Sequence, residues 1–424
     1  MLPAFISYLN SIIWGIPSIV LFCGGFIYLT VKTRFVQFRR FGRSYRLILR
    51  DIKAGKVEGG VSPVSALMAS LAAVMGPGNL VGVCSAILLG GSGAVFWMCL
   101  SAVFGMAARY AESTLSAMHK KEGRGGPMYV MRNFGMVRTA AVFSVAGICV
   151  SLTMANALPS GALSSALEAE WSVPPAVTGI ALSVLAFVTV FGGLKRIVSA
   201  SNFLIPVVSI FFLGTSLFII LSHPSLALDA AAEIFAEAFS FKAGIGGLLG
   251  GAVRYGISKG IYSNEAGMGT EPILASATNE PDPKAQGLIS MTGPFLDTVV
   301  FCGITGLVMV MSGVCSGDAA SMTARGFATF LPGCGGFAVT VTLLLLVCAT
   351  VVSWSYYGES CLAYLSPSGR FIPIYRTVYC LLPIVGAMAE LSLLLEISDL
   401  AMAAMAIPNI IVTMRLTSRI NICC

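Results

Sequence analysis

Apolar runs of about twenty residues, separated by short stretches of charge or of Gly, Pro and Asn, repeat along almost the whole chain. They fall at 11–29, 65–89, 94–115, 139–158, 176–191, 203–221, 245–270, 287–311, 336–357, 371–389 and 393–412. A helix needs about 20 consecutive apolar residues to cross a bilayer, so the pattern predicts an all-α polytopic membrane protein with eleven spans. A transmembrane barrel would alternate apolar and polar positions over segments of about ten residues. Runs such as Leu343-Leu344-Leu345-Leu346-Val347 do not alternate.

Charge tests the span count, because loops rich in Lys and Arg stay cytoplasmic. The loop after the first span holds Lys32, Arg34, Arg39, Arg40, Arg43, Arg46, Arg50, Lys53 and Lys56, which places it inside and the amino terminus outside. Alternating onward, the inner loops and inner span ends collect Arg109, Lys120, Lys121, Arg124, Arg132, Arg138, Lys195, Arg196, Lys284, Arg370, Arg376, Arg415 and Arg419. Lys242 and Arg325 fall outside, and Arg254 and Lys259 within the seventh span. A missed or invented span would have destroyed this asymmetry, so eleven spans with a cytoplasmic carboxyl terminus are expected. Between Thr33 and Lys56 the residues Phe35, Phe38, Phe41, Tyr45, Ile48, Leu49 and Ile52 recur at helical spacing among the arginines. That is the signature of an amphipathic helix on the anionic inner leaflet.

Composition agrees. Of 424 residues, 56% are hydrophobic and 11% charged, against about 25% charged in soluble domains, which argues against a water-soluble enzyme. The pI near 8.8 reflects basic residues gathered on one side of the membrane and calls for no nucleic acid. Twelve cysteines include no C-x-x-C pair, and His119 and His223 are the only histidines; this is not the pattern of a zinc or redox site. Cys84, Cys99, Cys149, Cys302 and Cys348 sit in apolar runs, where a thiol behaves as a small hydrophobe. Cys423-Cys424 could be acylated or simply apolar. The first apolar segment is too long for a signal peptide and has no cleavage site after it, so it is expected to be retained.

Two spans are interrupted. The second carries Gly76-Pro77-Gly78-Asn79 at mid-span, where Pro77 removes a helix donor. The string superficially matches a dinucleotide fingerprint, but its last glycine is one place late and no strand precedes it. The seventh, from Gly250 to Gly269, is too polar and glycine-rich to be one lipid-facing rod. A helix can unwind at membrane depth only where protein or a water-filled cavity satisfies its backbone. The two breaks lie five spans apart, an odd number, so spans two to six and seven to eleven read as an inverted repeat. Interrupted helices at matching positions of such halves mark the binding site of a secondary transporter. Their amino ends suit an anionic group and their carboxyl ends a cation. The expected organisation is one transport domain over 1–424. Residues 1–60 form the first span and surface helix, 61–222 the first repeat and 240–415 the second.

At these residues the chain resembles the alanine or glycine:cation symporter family. The matching stretches are Phe35-Val36-Gln37-Phe38, 76–83, 90–98, Gly123-Arg124-Gly125-Gly126-Pro127-Met128-Tyr129, 263–269, Gln286-Gly287, Asp297-Thr298 and 354–359. The resemblance implies a leucine-transporter-like fold with amino acid and sodium at the broken helices. Gly76, Pro77, Gly78 and Asn79 would meet the substrate from the second span, Asn156 from the fourth, and Gly260, Ser263 and Asn264 from the seventh. The Ala72 and Met75 carbonyls with the Thr350 hydroxyl would hold sodium. Two departures stand out. Pro77 replaces the family's usual threonine, and in the fourth span only Asn156 survives of the expected Gly-Asn-x-x-Gln-x-Asn.

Ionisable groups inside spans are costly and by default functional; Glu265, Asp297, Glu359, Arg254 and Lys259 qualify. The expectation is a Glu265–Lys259 ion pair flanking the seventh break. Asp297 and Glu359 are placed near the cytoplasmic half or end of their spans, outside the direct substrate contacts. The function expected is sodium-coupled import of a small neutral amino acid, alanine or glycine, across a prokaryotic plasma membrane. Alternatives are a proton-coupled or substrate-divergent carrier, or a sensor or channel on the same scaffold. No metal-ligand cluster or catalytic pairing supports an intramembrane enzyme.

Overall fold

The computed structural model describes residues 2–55, 60–121, 123–240, 251–389 and 392–420. The described residues are almost entirely helical, with two isolated bridges as the only β pairing. Seven helices are long and apolar enough to cross a membrane: Ile6–Lys32, Ala94–Met118, Val137–Trp171, Gly193–Ser222, Pro283–Ser312, Gly335–Leu365 and Leu393–Arg419. They take the places of spans one, three, four, six, eight, nine and eleven. Spans five and ten are the shorter helices Pro175–Val190 and Ile372–Met388. The remaining two are interrupted where the sequence indicated. The second is Pro63–Val74, a short 3₁₀ turn Pro77–Asn79 and Val81–Gly90; the seventh is Gly251–Asn264 followed by Glu271–Ser276. The part of the seventh span assigned to 245–250 lies outside the described residues, as do Lys56, Lys242 and Cys423-Cys424.

Several helices outlast their apolar runs. The fourth was expected over 139–158 and continues to Trp171: Pro159 falls in the first turn of Leu158–Trp171, directly after the π-helical stretch Thr153–Ala157, where its missing N–H is tolerated, and Glu168 and Glu170 make the extension polar without ending it. Surface helices join the spans at Pro127–Asn133, Pro224–Ala238 and Ala319–Phe330, too short or too mixed to register as apolar runs. The last has an ordinary N-cap. Bonds from the Ser321 hydroxyl and the Ser321 and Ala320 N–H groups hold the Asp318 carboxyl below its usual range.

The expected surface helix forms as Val36–Arg39 and Phe41–Ala54. Ser44 and Leu47 are buried against the bundle, and Phe38, Tyr45, Leu49 and Ile52 are exposed.

Among the spans, the second packs on the seventh, the third on the eighth, the fourth on the ninth and the fifth on the tenth. The sixth packs on the ninth, and its counterpart contact joins the eleventh to the fourth. Small residues make the closest approaches, as they commonly do between membrane helices. A Cβ on Gly260 would lie 2.2 Å from Ser101 Oγ and 2.9 Å from the Met98 carbonyl oxygen, so the seventh span meets the third with no room for a side chain.

Candidate functional site

In the second span the helix stops at Val74, and its freed groups are taken up by other residues. The Thr350 hydroxyl donates to the Met75 carbonyl (3.0 Å), and Trp354 Nε1 donates to the Ala73 carbonyl (3.0 Å). The Gly76 N–H donates to Asn79 Oδ1 (3.0 Å), so the asparagine side chain closes the turn. Two of the three expected sodium ligands, Met75 and Thr350, are therefore in contact, and the position a Cβ would take on Gly76 is 3.2 Å from Thr350 Oγ1. Ala72 is buried one turn earlier. Gly78 borders open space, where a Cβ would meet nothing within 4 Å, and Pro77 beside it is half-exposed.

The seventh break spans Glu265 to Thr270. Three of its residues have left-handed backbone, Glu265 at φ 49°, Gly267 at 80° and Gly269 at 84°. This explains the glycines of Ser-Asn-Glu-Ala-Gly-Met-Gly, since glycine adopts that region without a Cβ clash. Buried side chains satisfy the opened backbone. Arg109 Nη2 donates to the Asn264 carbonyl (2.5 Å), a cation at the carboxyl end of a half-helix as the dipole favours. The Gly267 N–H reaches Glu112 Oε1 (3.3 Å), and Asn409 Nδ2 donates to the Gly267 carbonyl (2.8 Å) and to Glu112 Oε2 (2.9 Å). Arg109 also lies 3.4 Å from Glu112 and 4.0 Å from Glu271, whose carboxylate accepts from Ser113 and Ser290.

A residue of neither span joins the second break to the half-helix that leads into the seventh. Asp297 sits midway along the eighth span, in a π-helical stretch Phe295–Cys302, and is completely buried. One carboxylate oxygen accepts from Asn79 Nδ2 (2.6 Å), the other from Ser263 Oγ (2.8 Å) and Thr298 Oγ1 (2.7 Å). Cys302 Sγ lies 3.4 Å from Asn79 Nδ2 and 3.2 Å from Ser263 Oγ. Among the described residues no Lys, Arg or His forms a salt bridge to Asp297. Desolvating a carboxylate costs several kcal/mol, and three hydrogen bonds to a charged group, at about 1.5–3 kcal/mol each, are of the size to offset it. The placement of Asp297 toward the cytoplasmic end is therefore corrected: it lies at the junction, held by protein donors.

Other expectations change too. Among the described residues Glu265 forms no salt bridge to Lys259; its carboxylate accepts from Thr270 Oγ1 (2.7 Å). Lys259 lies six residues before the break, where Asp399 of the eleventh span is its acidic neighbour. Arg254 stacks over the Tyr255 ring at 5.5 Å. Glu359 is paired with Arg376 in a two-bonded fork of 2.7 and 2.8 Å. Arg109, counted above with the inner span ends, is 2% exposed and belongs to the protein interior.

Of the expected substrate residues, Asn79 and Ser263 converge on Asp297, and Gly76 bonds to Asn79. Asn264 Oδ1 accepts from the Ala266 N–H (2.9 Å), and its buried Nδ2 has no hydrogen-bond partner among the described residues. Gly260 faces the third span, so only its backbone is left to meet a ligand. Asn156 is in a second π-helical stretch, Thr153–Ala157, and donates to the Tyr379 carbonyl of the tenth span (2.8 Å). Asp297 at the junction, Glu112, Glu271 and Asn409 were the residues sequence reasoning did not place here. The Arg109/Glu112 spacing inside an apolar run was the one available signal.

Comparison with known proteins places this geometry. The model of the sodium:alanine symporter family matches residues 1–422. A sodium/alanine symporter, AgcS, of Methanococcus maripaludis is 36% identical over 422 residues, covering 96% of this chain and 93% of that protein. The probable sodium/glutamine symporter GlnT of Bacillus subtilis is 32% identical, covering 97% and 87%. A putative sodium/proton-dependent alanine carrier, YrbD, of the same organism is 32% identical, covering 85% and 78%. With both breaks in place and the match running almost end to end, the chain belongs to the sodium:alanine symporter family, a membrane transporter and not an enzyme.

Proposed function

We propose that the protein is a sodium-coupled importer of a small neutral amino acid, alanine or glycine, working by alternating access in a prokaryotic plasma membrane. The observation that carries this reading is the Asp297 junction, a buried carboxylate bonded to Asn79 of the second break and to Ser263 in the half-helix that leads into the seventh, with no salt bridge to a cation among the described residues. A hard monovalent cation wants oxygen ligands, and two sets lie close to the breaks. One is the Asp297 carboxylate with the Ser263 and Thr298 hydroxyls; the other is the Met75 carbonyl with the Thr350 hydroxyl and, one turn away, the Ala72 carbonyl. The substrate would sit in the open space beside Pro77 and Gly78, with its carboxylate toward the half-helix amino end, since the second span brings no carboxylate of its own. In this reading spans two to six and seven to eleven are inverted copies, the amino terminus is outside and the basic loops are inside.

The relatives' names leave two choices that transport measurements make. AgcS is named for alanine and GlnT for glutamine, so labelled alanine, glycine and glutamine should compete in one assay. YrbD is named for sodium and protons, and Asp297 supports proton coupling as the second reading, because a buried carboxylate without a cation can also take a proton. The experiment is uptake into proteoliposomes with a sodium gradient, a pH gradient or none. Each sodium ion moved contributes about 2.3 kcal/mol per 100 mV, so roughly fifty-fold accumulation at that voltage is expected. Uptake indifferent to sodium but driven by protons selects the second reading; flux that stops at equilibrium means a channel.

Two substitutions test the site within this reading. Asn79→Ala removes the bond that closes the turn and one of the three donors to Asp297, and should weaken substrate binding at least tenfold, about 1.4 kcal/mol. Thr350→Val keeps the side-chain shape and removes the hydroxyl. The sodium concentration for half-maximal uptake should rise about tenfold, with alanine affinity at saturating sodium nearly unchanged. A wild-type sodium curve would remove Thr350 from the ion site.

A further inference from the structure

We propose that the inner end of the first span forms a specific site for the phosphate group of an anionic membrane lipid. A cavity of about 70 Å³ opens there, lined by Arg34, Arg39, Arg40, Arg43, Lys284 and Asp282, with the Tyr110 ring of the third span among its walls. Five cationic side chains thus face one carboxylate. That carboxylate is already engaged, because Asp282 Oδ1 caps the helix Pro283–Ser290 by accepting from the Lys284 N–H (2.9 Å). Among the described residues Arg39, Arg40, Arg43 and Lys284 form no salt bridge. Arg39 and Arg43 are exposed and Arg40 and Lys284 half-buried, so water screens their mutual repulsion; grouped on one cavity they still raise its positive potential and favour an anion there. Guanidinium groups match the geometry of phosphate oxygens with paired N–H donors.

The surroundings identify the source of the phosphate as lipid. The chain turns from the span to the surface helix with positive φ at both Arg34 and Phe35. This turn sets Arg34 on the cavity and leaves Phe35 exposed next to it. Phe38, Tyr45 and Ile52 along the same helix are each about 60% exposed. A headgroup in the cavity would leave its acyl chains beside these apolar side chains, whereas a free phosphate would leave them without an apolar partner.

The site also ties the surface helix to moving parts. Lys284 opens the eighth span, which carries Asp297 further along, and the Arg50–Glu280 ion pair (3.1 Å) fastens the same helix to the connection before that span. A bound headgroup therefore braces the base of the span that joins the two breaks, and membranes rich in anionic lipid should support faster transport.

The test measures binding first, so that it stands apart from any substrate or ion assignment. Full-length protein in detergent is titrated with short-chain phosphatidylglycerol, phosphatidylcholine or inorganic phosphate, and binding is followed by thermal shift and native mass spectrometry. Phosphatidylglycerol alone should bind and raise the melting temperature. A basic residue near a membrane surface is worth about a factor of five in binding. Arg43→Gln should lower affinity by more than that, about tenfold, and the Arg40→Gln/Arg43→Gln/Lys284→Gln triple variant should abolish binding. Arg46→Gln, on the same helix outside the cavity, should cost no more than about fivefold. Equal losses for Arg43→Gln and Arg46→Gln would mean diffuse attraction and overturn the site. Inorganic phosphate reproducing the full shift would overturn the lipid assignment. If the triple variant fails to fold, the two single variants decide.

Discussion

Asp297→Asn is expected to yield a folded transporter that no longer couples substrate to sodium, with half-saturating sodium raised at least about twenty-five-fold. The exchange is almost isosteric, so packing around the eighth span survives. What changes is charge and donor balance. The carboxylate accepts from Asn79, Ser263 and Thr298; a carboxamide offers one acceptor oxygen and presents an NH₂ to at least one of those donors. Truncating one partner of a buried, hydrogen-bonded charge costs about 2–5 kcal/mol, and each 1.4 kcal/mol is tenfold. Labelled alanine binding to purified protein across a sodium series measures it. A sodium curve matching the wild type would take Asp297 out of the ion site. This outcome differs from what the sequence implied, where Asp297 stood aside from binding and its loss would only have slowed turnover.

Arg109→Gln should instead lose folded protein. Arg109 lies against two buried carboxylates, Glu112 and Glu271, and holds the Asn264 carbonyl at the seventh break. Removing it leaves both charges unopposed in the bundle interior, a change worth about 3–5 kcal/mol. In a chain of this size that corresponds to a fall in melting temperature on the order of 5 °C. Size-exclusion profiles and thermal melts in detergent would show it. Pairing Arg109→Gln with Glu112→Gln should recover part of the loss, because one of the abandoned charges is then gone. Unchanged melting in the single variant would mean that these carboxylates are neutral in the folded protein.

What could be read from the sequence follows from what leaves a periodic or compositional trace. Apolar length marked the spans, and charge asymmetry argued for eleven of them. The breaks were legible because Pro77 cannot donate and because Gly267 and Gly269 supply left-handed backbone that other residues avoid. Asp297 was legible as an ionisable group in an apolar run but not as the junction. The π-helical stretch Phe295–Cys302 shifts the helical phase, so counting in steps of 3.6 residues does not show which way Asp297 points. Arg109 was read as a boundary charge since nothing in one sequence says that Glu112, Glu271 and the Asn264 carbonyl surround it. Asn156 was carried over from the resemblance, and its amide turned out to serve the tenth span. The helices Pro127–Asn133, Pro224–Ala238 and Ala319–Phe330 are too short or too mixed to leave an apolar run.

The moorings of the two breaks differ. One is laced to the ninth span through Thr350 and Trp354, the other to the third and eleventh through Arg109, Glu112 and Asn409. Sliding one wall past the other carries each unwound segment along with its own support intact. In the proposed cycle, the bonds at Asp297 and Cys302 are among those that such a movement would exchange. Amide and hydroxyl donors on a carboxylate are easily traded for water or a passing ion. The seam of the molecule is thus sewn with its most replaceable thread.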